Sequence, residues 1–104
     1  MKDYIEQAYR TCSSNYLEIH DRMDNSTVLN LLHAGLGLST EANEFLDTLK
    51  KYIYYGKETD QVNLIEEMGD CFWYLALACK TLGVSFEEVM EKNIAKLKAR
   101  YPVS

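Results

Sequence analysis

A chain of 104 residues is enough for one domain with a core, although a chain this small often completes its burial with a second subunit. With 47% hydrophobic and 26% charged residues it has the balance of a folded globular protein, which excludes a disordered chain. The net charge of −5 offers no basic footprint for a nucleic-acid duplex, so a phosphate-bearing ligand has to be small and offset by a metal or a few placed cations. Cys12, Cys71 and Cys79 form an odd set without zinc-like spacing and read as buried, reduced thiols. The apolar run from Cys71 to Cys79 is too short to cross a bilayer, and the polar start Met1-Lys2-Asp3 leads into no signal-like segment. A cytoplasmic protein with no membrane and no nucleic-acid partner is expected.

Apolar spacings of three and four recur along the chain, the single proline is Pro102, and no alternating β-branched run is long enough for a sheet. Nearly all of the fold should therefore be helix. Tyr4, Ile5, Ala8 and Tyr9 predict a short first helix over about 2–10, broken by Cys12-Ser13-Ser14-Asn15. From Asn15 to Asp24 the pattern is poor and a loop with at most a helical turn is expected. Asn25, Ser26 and Thr27 offer N-caps for a long second helix to about Tyr54, with Leu32, Leu38, Ala42, Phe45, Leu46, Leu49 and Ile53 on one side. Gly35 and Gly37 inside it each cost roughly 1 kcal/mol against alanine, which predicts close approach of another backbone or a local break.

Gly56 is the expected C-cap of that helix and Asp60 the N-cap of a third, running from about Gln61 to Leu82. Its second half is apolar almost all round, which implies burial on several sides, at the centre of a bundle or in a subunit interface. Gly83 closes it. Ser85, with Glu88 three residues on, opens a fourth helix that ends before Pro102, with Phe86, Val89, Met90, Ile94 and Leu97 on its inner face. No linker or internal repeat is visible. The expected architecture is an all-α, four-helix-bundle-like single domain spanning 1–104 and completed by dimerisation, as a homodimer or a dimer of dimers.

Two pairs of carboxylates stand out, Glu41 with Glu44 and Glu67 with Asp70. In each pair the residues are three apart, so at about 100° per residue they project from one helix face roughly 60° apart. If the second and third helices lie side by side, four carboxylates converge at the flank of the core. That is costly unless a cation is bound, and oxygen-only ligation without a Glu-x-x-His motif favours a hard divalent ion over a di-iron centre. An isolated pair of this kind is common on amphipathic helices that bind no metal. Two pairs on consecutive helices are not.

Together, Glu41-Ala42-Asn43-Glu44, Glu66-Glu67-Met68-Gly69-Asp70 and the tail Asn93-Ile94-Ala95-Lys96-Leu97-Lys98-Ala99-Arg100-Tyr101-Pro102 resemble the MazG family of all-α nucleoside triphosphate pyrophosphohydrolases, in its small, often phage-encoded form. The similarity runs from about Leu31 to Pro102. It implies hydrolysis of a nucleoside triphosphate to the monophosphate and pyrophosphate, in the host cytoplasm if the protein is phage-encoded. It further implies magnesium, with manganese as a substitute, held by Glu41, Glu44, Glu67 and Asp70. Many relatives have glycine between the two glutamates, as in EAGE, where this chain has Asn43; no ligand is lost by that change. Attack of water on phosphorus needs charge neutralisation and a carboxylate to orient or deprotonate the water, a role open to Glu41 or Glu44. Lys96 and Arg100, four apart on one helix face, are placed to clamp phosphates, with the Tyr101 hydroxyl and the Asn93 amide beside them. Cations in a last helical turn are ordinarily solvated partners of the helix dipole, so the assignment depends on the carboxylates and on the family pattern.

Weaker signals are His33, which could meet a phosphate or a base or be purely structural, and Lys50 and Lys51, which read as solvated. His20 has less support still. Trp73 and Tyr74 read as core or interface, Tyr52, Tyr54 and Tyr55 as subunit contacts, and Glu66 as a spare carboxylate. Two other readings stand beside pyrophosphohydrolysis. The same fold could act on dUTP or on a phosphoribosyl-ATP intermediate, or the chain could be a non-catalytic helical interaction module whose acidic edges are merely solvated.

Overall fold

The computed structural model describes residues 2–102 and shows five α-helices and no strand among them. They are α1 (Lys2–Arg10), α2 (Tyr16–Met23), α3 (Ser26–Tyr55), α4 (Gln61–Leu82) and α5 (Phe86–Arg100). The all-α expectation holds. The segment expected to be a loop is helical: the Asn15 side chain accepts a hydrogen bond from the Glu18 backbone N–H, and Arg22 pairs with Glu18 one turn away at 3.0 Å. Capping and an i,i+4 ion pair thus stabilise a helix whose apolar pattern is weak. Only Ile19 of α2 is even half-buried, and α2 packs on α3.

The remaining boundaries follow their caps. Asn25, Asp60 and Ser85 accept from the backbone N–H groups of Val28, Val62 and Glu88 at 3.1, 3.0 and 3.1 Å. Gly56 and Gly83 end α3 and α4 in the left-handed region at φ of 65° and 70°. Each allows the next residue's N–H to reach back to the last turn, Lys57 to the Lys51 carbonyl and Val84 to the Cys79 carbonyl.

The short 56–60 connection makes α3 and α4 antiparallel neighbours, and they form the principal packed pair of the chain. Their seam follows a strict alternation of three and four residues. On α3 it consists of Leu31, Ala34, Leu38, Glu41, Phe45 and Thr48, and on α4 of Leu64, Glu67, Cys71, Tyr74, Ala78 and Thr81. Every one of these is buried or half-buried. This is the spacing of a coiled-coil seam. Gly37 admits the other helix, through a side chain and not a backbone: a Cβ there would overlap the ring of Tyr74. Gly35 meets nothing within 4 Å, so the expectation of close approach fails at that position in the single chain.

One residue further along each helix lies a second apolar stripe, with Leu32, Ala42, Leu46 and Ile53 on α3 and Ile65, Met68, Phe72, Leu75 and Leu82 on α4. A step of one residue rotates the side chain by about 100°. Because the helices run in opposite directions, that rotation carries both stripes to the same side of the hairpin. The opposite rotation leads to Thr40, Glu44 and Asp47 on α3 and to Glu66, Asp70, Trp73 and Lys80 on α4. The hairpin therefore has one apolar and one mostly polar face. The single-sided stripe read from the α3 sequence merges the seam with the apolar face.

Outside the hairpin, packing is sparse. α1 and α5 form no extensive interface with another helix, and Ala34 is the one fully buried hydrophobic among the described residues. None of the three cysteines is as buried as expected: Cys71 and Cys79 are half-buried and Cys12 is exposed. No helix among the described residues is long and apolar enough to cross a membrane.

Candidate metal centre

The contact between Gly37 and Tyr74 sets the register of the hairpin. One turn on along α3 and one turn back along α4 place Glu41 level with Asp70, and a further three residues place Glu44 level with Glu67. The two carboxylate pairs thus belong to the same stretch of the hairpin. Carboxylate oxygens of Glu41, Glu67 and Asp70 lie within 4.8 Å of one another. Oxygens that share one hard divalent ion at about 2.1 Å are roughly 3–4 Å apart, a spacing close to that of the trio. Glu44 stands outside the trio and is exposed.

Glu41 and Glu67 do not stand at the flank of the core, where spacing alone places the four carboxylates. They occupy seam positions, between Leu38 and Phe45 on α3 and between Leu64 and Cys71 on α4. Glu67 shows the consequence. Its Oε2 is buried without a hydrogen-bond partner. Burial pushes the Glu67 carboxyl above the usual carboxylate range, helped by the Glu41 carboxyl beside it and by the charges of Glu44 and Asp70. Two carboxyl groups hydrogen-bond each other only when one carries a proton; with both ionised, Oε2 is an orphan in an acidic layer. A cation satisfies that oxygen directly, and an all-oxygen donor set suits a hard divalent ion. The residues fit magnesium.

The polar neighbours are otherwise engaged. Asp47 pairs with Lys51 at 2.9 Å and Lys50 at 3.6 Å, and the Lys51 hydrogen bond holds the Asp47 carboxyl below its ordinary range. Both lysines are half-exposed, close to the solvated reading. Glu44, Thr40, Asn43, Asp47 and Lys50 line an open depression on α3 beside the trio. His33 packs its ring against Tyr74 with centroids 6.0 Å apart, a packing role two turns before Glu41. Tyr74 is seated in the seam, but Trp73 is 76% exposed on the polar face, one turn beyond Asp70, and is therefore not a core residue. Glu66 is exposed on the same face. Asn93, Lys96, Arg100 and Tyr101 are all exposed on or just after α5, which does not pack extensively on the hairpin. The fold of one chain brings together the acidic trio and leaves the cationic tail apart from it.

The structure defines a class of protein: an all-α chain with a candidate oxygen-donor cation site built across two antiparallel helices. Comparison with known families gives the assignment within that class. The sequence profile described as the MazG nucleotide pyrophosphohydrolase domain matches residues 30–104, which include most of α3 and all of α4 and α5. The chain belongs to the MazG family. It is also similar to the Gene 37 protein of Mycobacterium phage L5, with 30% identity over 84 residues, covering 74% of this chain and 71% of the phage protein. No solved structure matches it.

Proposed function

We propose that the protein hydrolyses a nucleoside triphosphate to the nucleoside monophosphate and pyrophosphate with the help of magnesium. The observation that carries this reading is the orphaned, buried Glu67 oxygen within an all-carboxylate layer, in a chain of a pyrophosphohydrolase family. Glu41, Glu67 and Asp70 would hold the ion, with Glu44 completing the set from its edge. When bound, magnesium neutralises triphosphate charge and polarises the phosphoryl oxygens.

The chain's own residues have the remaining tasks. Glu44, exposed and level with Glu67, orients a water molecule and accepts its proton as the water oxygen bonds to the α-phosphorus. The bond from that phosphorus to the oxygen bridging to the β-phosphate breaks, and pyrophosphate leaves with the electron pair. Glu41 fixes the geometry of the layer from within the seam. Lys96 and Arg100 are the proposed phosphate clamp, with Asn93 and Tyr101 as hydrogen-bonding partners, once α5 is brought against an acidic face. The working environment is the cytoplasm, that of the host if the gene is carried by a phage.

Phosphate NMR of products from a panel of NTPs and dNTPs, dUTP included, tests the reading. Equal release of monophosphate and pyrophosphate, dependent on magnesium or manganese, is expected. Folded protein inactive on the whole panel would contradict it, and release of inorganic phosphate would move the cleavage to another bond.

A further inference from the structure

Gly35, Gly37 and Gly69 all lie inside helices, and of these Gly37 alone is crowded. A Cβ at Gly35 or Gly69 meets nothing within 4 Å, whereas at Gly37 it overlaps the ring of Tyr74. An interior glycine costs a helix roughly 1 kcal/mol against alanine, so at Gly37 that cost accompanies a seat for the opposite helix. The ring is held from a second side by His33, one turn earlier on α3, with centroids 6.0 Å apart and the rings tilted by 58°. Two successive turns of α3 thus clasp one side chain of α4. Tyr74 is half-buried in consequence, while its neighbour Trp73 stands exposed.

The clasp adjoins the acidic layer on both helices. Glu41 follows Gly37 by four residues and Asp70 precedes Tyr74 by four, about 6 Å along each axis. Oxygens of Glu41, Glu67 and Asp70 lie within 4.8 Å of one another, and magnesium accepts little departure from octahedral geometry. A slip of α4 by one residue would carry Asp70 about 1.5 Å past Glu41 and turn it by about 100°, off the layer. A ring seated in the place of a missing side chain fits one level of the helix only. We propose that Gly37 and Tyr74 are positioning residues of the cation site: the seated ring fixes α4 against α3 and so holds Asp70 level with Glu41. The proposal rests on the magnesium reading above and adds to it the packing element that sets ligand spacing. A Cβ at Gly37 forces the ring out of the seam, or α4 away from α3, by roughly an ångström or more to restore van der Waals distance. Either response displaces Asp70 without altering a ligand.

Manganese titration of the full chain without nucleotide, followed by electron paramagnetic resonance, tests the proposal, with helicity and melting temperature measured on the same samples. Gly37→Ala should weaken manganese binding about 10- to 100-fold in folded protein, the range found when groups that orient metal ligands are changed. Tyr74→Phe keeps the ring and should bind as wild type does. Tyr74→Leu empties the seat and should weaken binding. Gly37→Ala combined with Tyr74→Leu should bind more tightly than Gly37→Ala alone, because the added methyl then has room. Ala34→Gly removes a buried methyl from the same seam, two turns from Glu41, and should lower the melting temperature with manganese affinity unaltered. Folded Gly37→Ala and Tyr74→Leu proteins that bind manganese as wild type does would overturn the positioning role and leave the magnesium reading intact. Loss of binding in Tyr74→Phe, which would assign the effect to the hydroxyl, or an equal loss in Ala34→Gly, which would make it one of stability, would overturn the role as well. If Gly37→Ala fails to fold, Tyr74→Leu decides. No binding in wild type would overturn the magnesium reading itself, and this proposal with it.

Discussion

The two halves of the α3–α4 seam share one spacing and differ in what satisfies them. In the half built from Leu31, Ala34, Leu38, Tyr74, Ala78 and Thr81, side chains fill the space: the Tyr74 ring occupies the place of a missing Cβ at Gly37, and the His33 ring packs against it at a tilt. That half is held by van der Waals contact and apolar burial. In the neighbouring half the same positions hold Glu41 and Glu67, with Asp70 level with them, and Glu67 Oε2 has no partner. A seam can accept a carboxylate at such positions only at a cost in stability, which a bound cation removes. Packing determines where the helices meet, and that meeting places the acids.

Substitutions should separate the halves. The largest effect is expected from Glu67→Gln, which keeps the shape of the side chain and removes its charge. Pyrophosphate release should fall by roughly a hundredfold or more, since even outer-shell changes at metal sites cost 10- to 100-fold. The metal-free protein should nonetheless melt at a higher temperature than wild type, because a buried charge has been removed. Gly37→Ala acts on the other half. Alanine normally improves a helix interior, yet here its Cβ overlaps the Tyr74 ring, so chemical denaturation should show a loss of about 1–3 kcal/mol. Gly69→Ala, on α4 with nothing within 4 Å, should instead add up to about 1 kcal/mol by helix propensity. The opposite signs of these two glycine changes would confirm the register.

The smallest effects concern pH, and the two carboxyl groups involved should act in opposite directions. Glu67 is raised above its unfolded value. Its stabilising contribution is therefore fully present below that value and is lost as pH rises through the folded one. Asp47 is lowered by Lys51, so its contribution is present above its unfolded value and lost as pH falls through the folded one. As Asp47 is half-exposed and its ion pair screened by solvent, Asp47→Asn should change the melting temperature little. Melting curves of metal-free protein from mildly acidic to neutral pH, for wild type, Glu67→Gln and Asp47→Asn, resolve the two contributions. Saturating magnesium should abolish the Glu67 effect.

Much of this was legible in the residues alone. The ends of α3 and α4 follow from Asn25, Gly56, Asp60 and Gly83, whose capping chemistry is local. The carboxylate pairs were visible because spacing fixes the face of a helix. The identity of the seam was harder to read, because two apolar stripes one residue apart cannot be separated until a partner helix selects one of them. That ambiguity puts Glu41 at the flank of the core when it lies inside the seam. Helix α2 escaped because a cap at Asn15 and an ion pair from Glu18 to Arg22 leave little hydrophobic signal. Trp73, read as core or interface, lies outside the core for a related reason: in a helix apolar nearly all round, composition alone does not show which side is left open.

The central claim is that the acidic layer of the seam is a cation site. It is tested most directly by titrating manganese, as a spectroscopic stand-in for magnesium, into the full chain with a non-hydrolysable nucleoside triphosphate analogue, and following bound ion by electron paramagnetic resonance. Saturable binding in wild type that is lost in Glu67→Gln, with helicity retained, is the expected result. Binding of equal affinity in both proteins, or none in either, would contradict it.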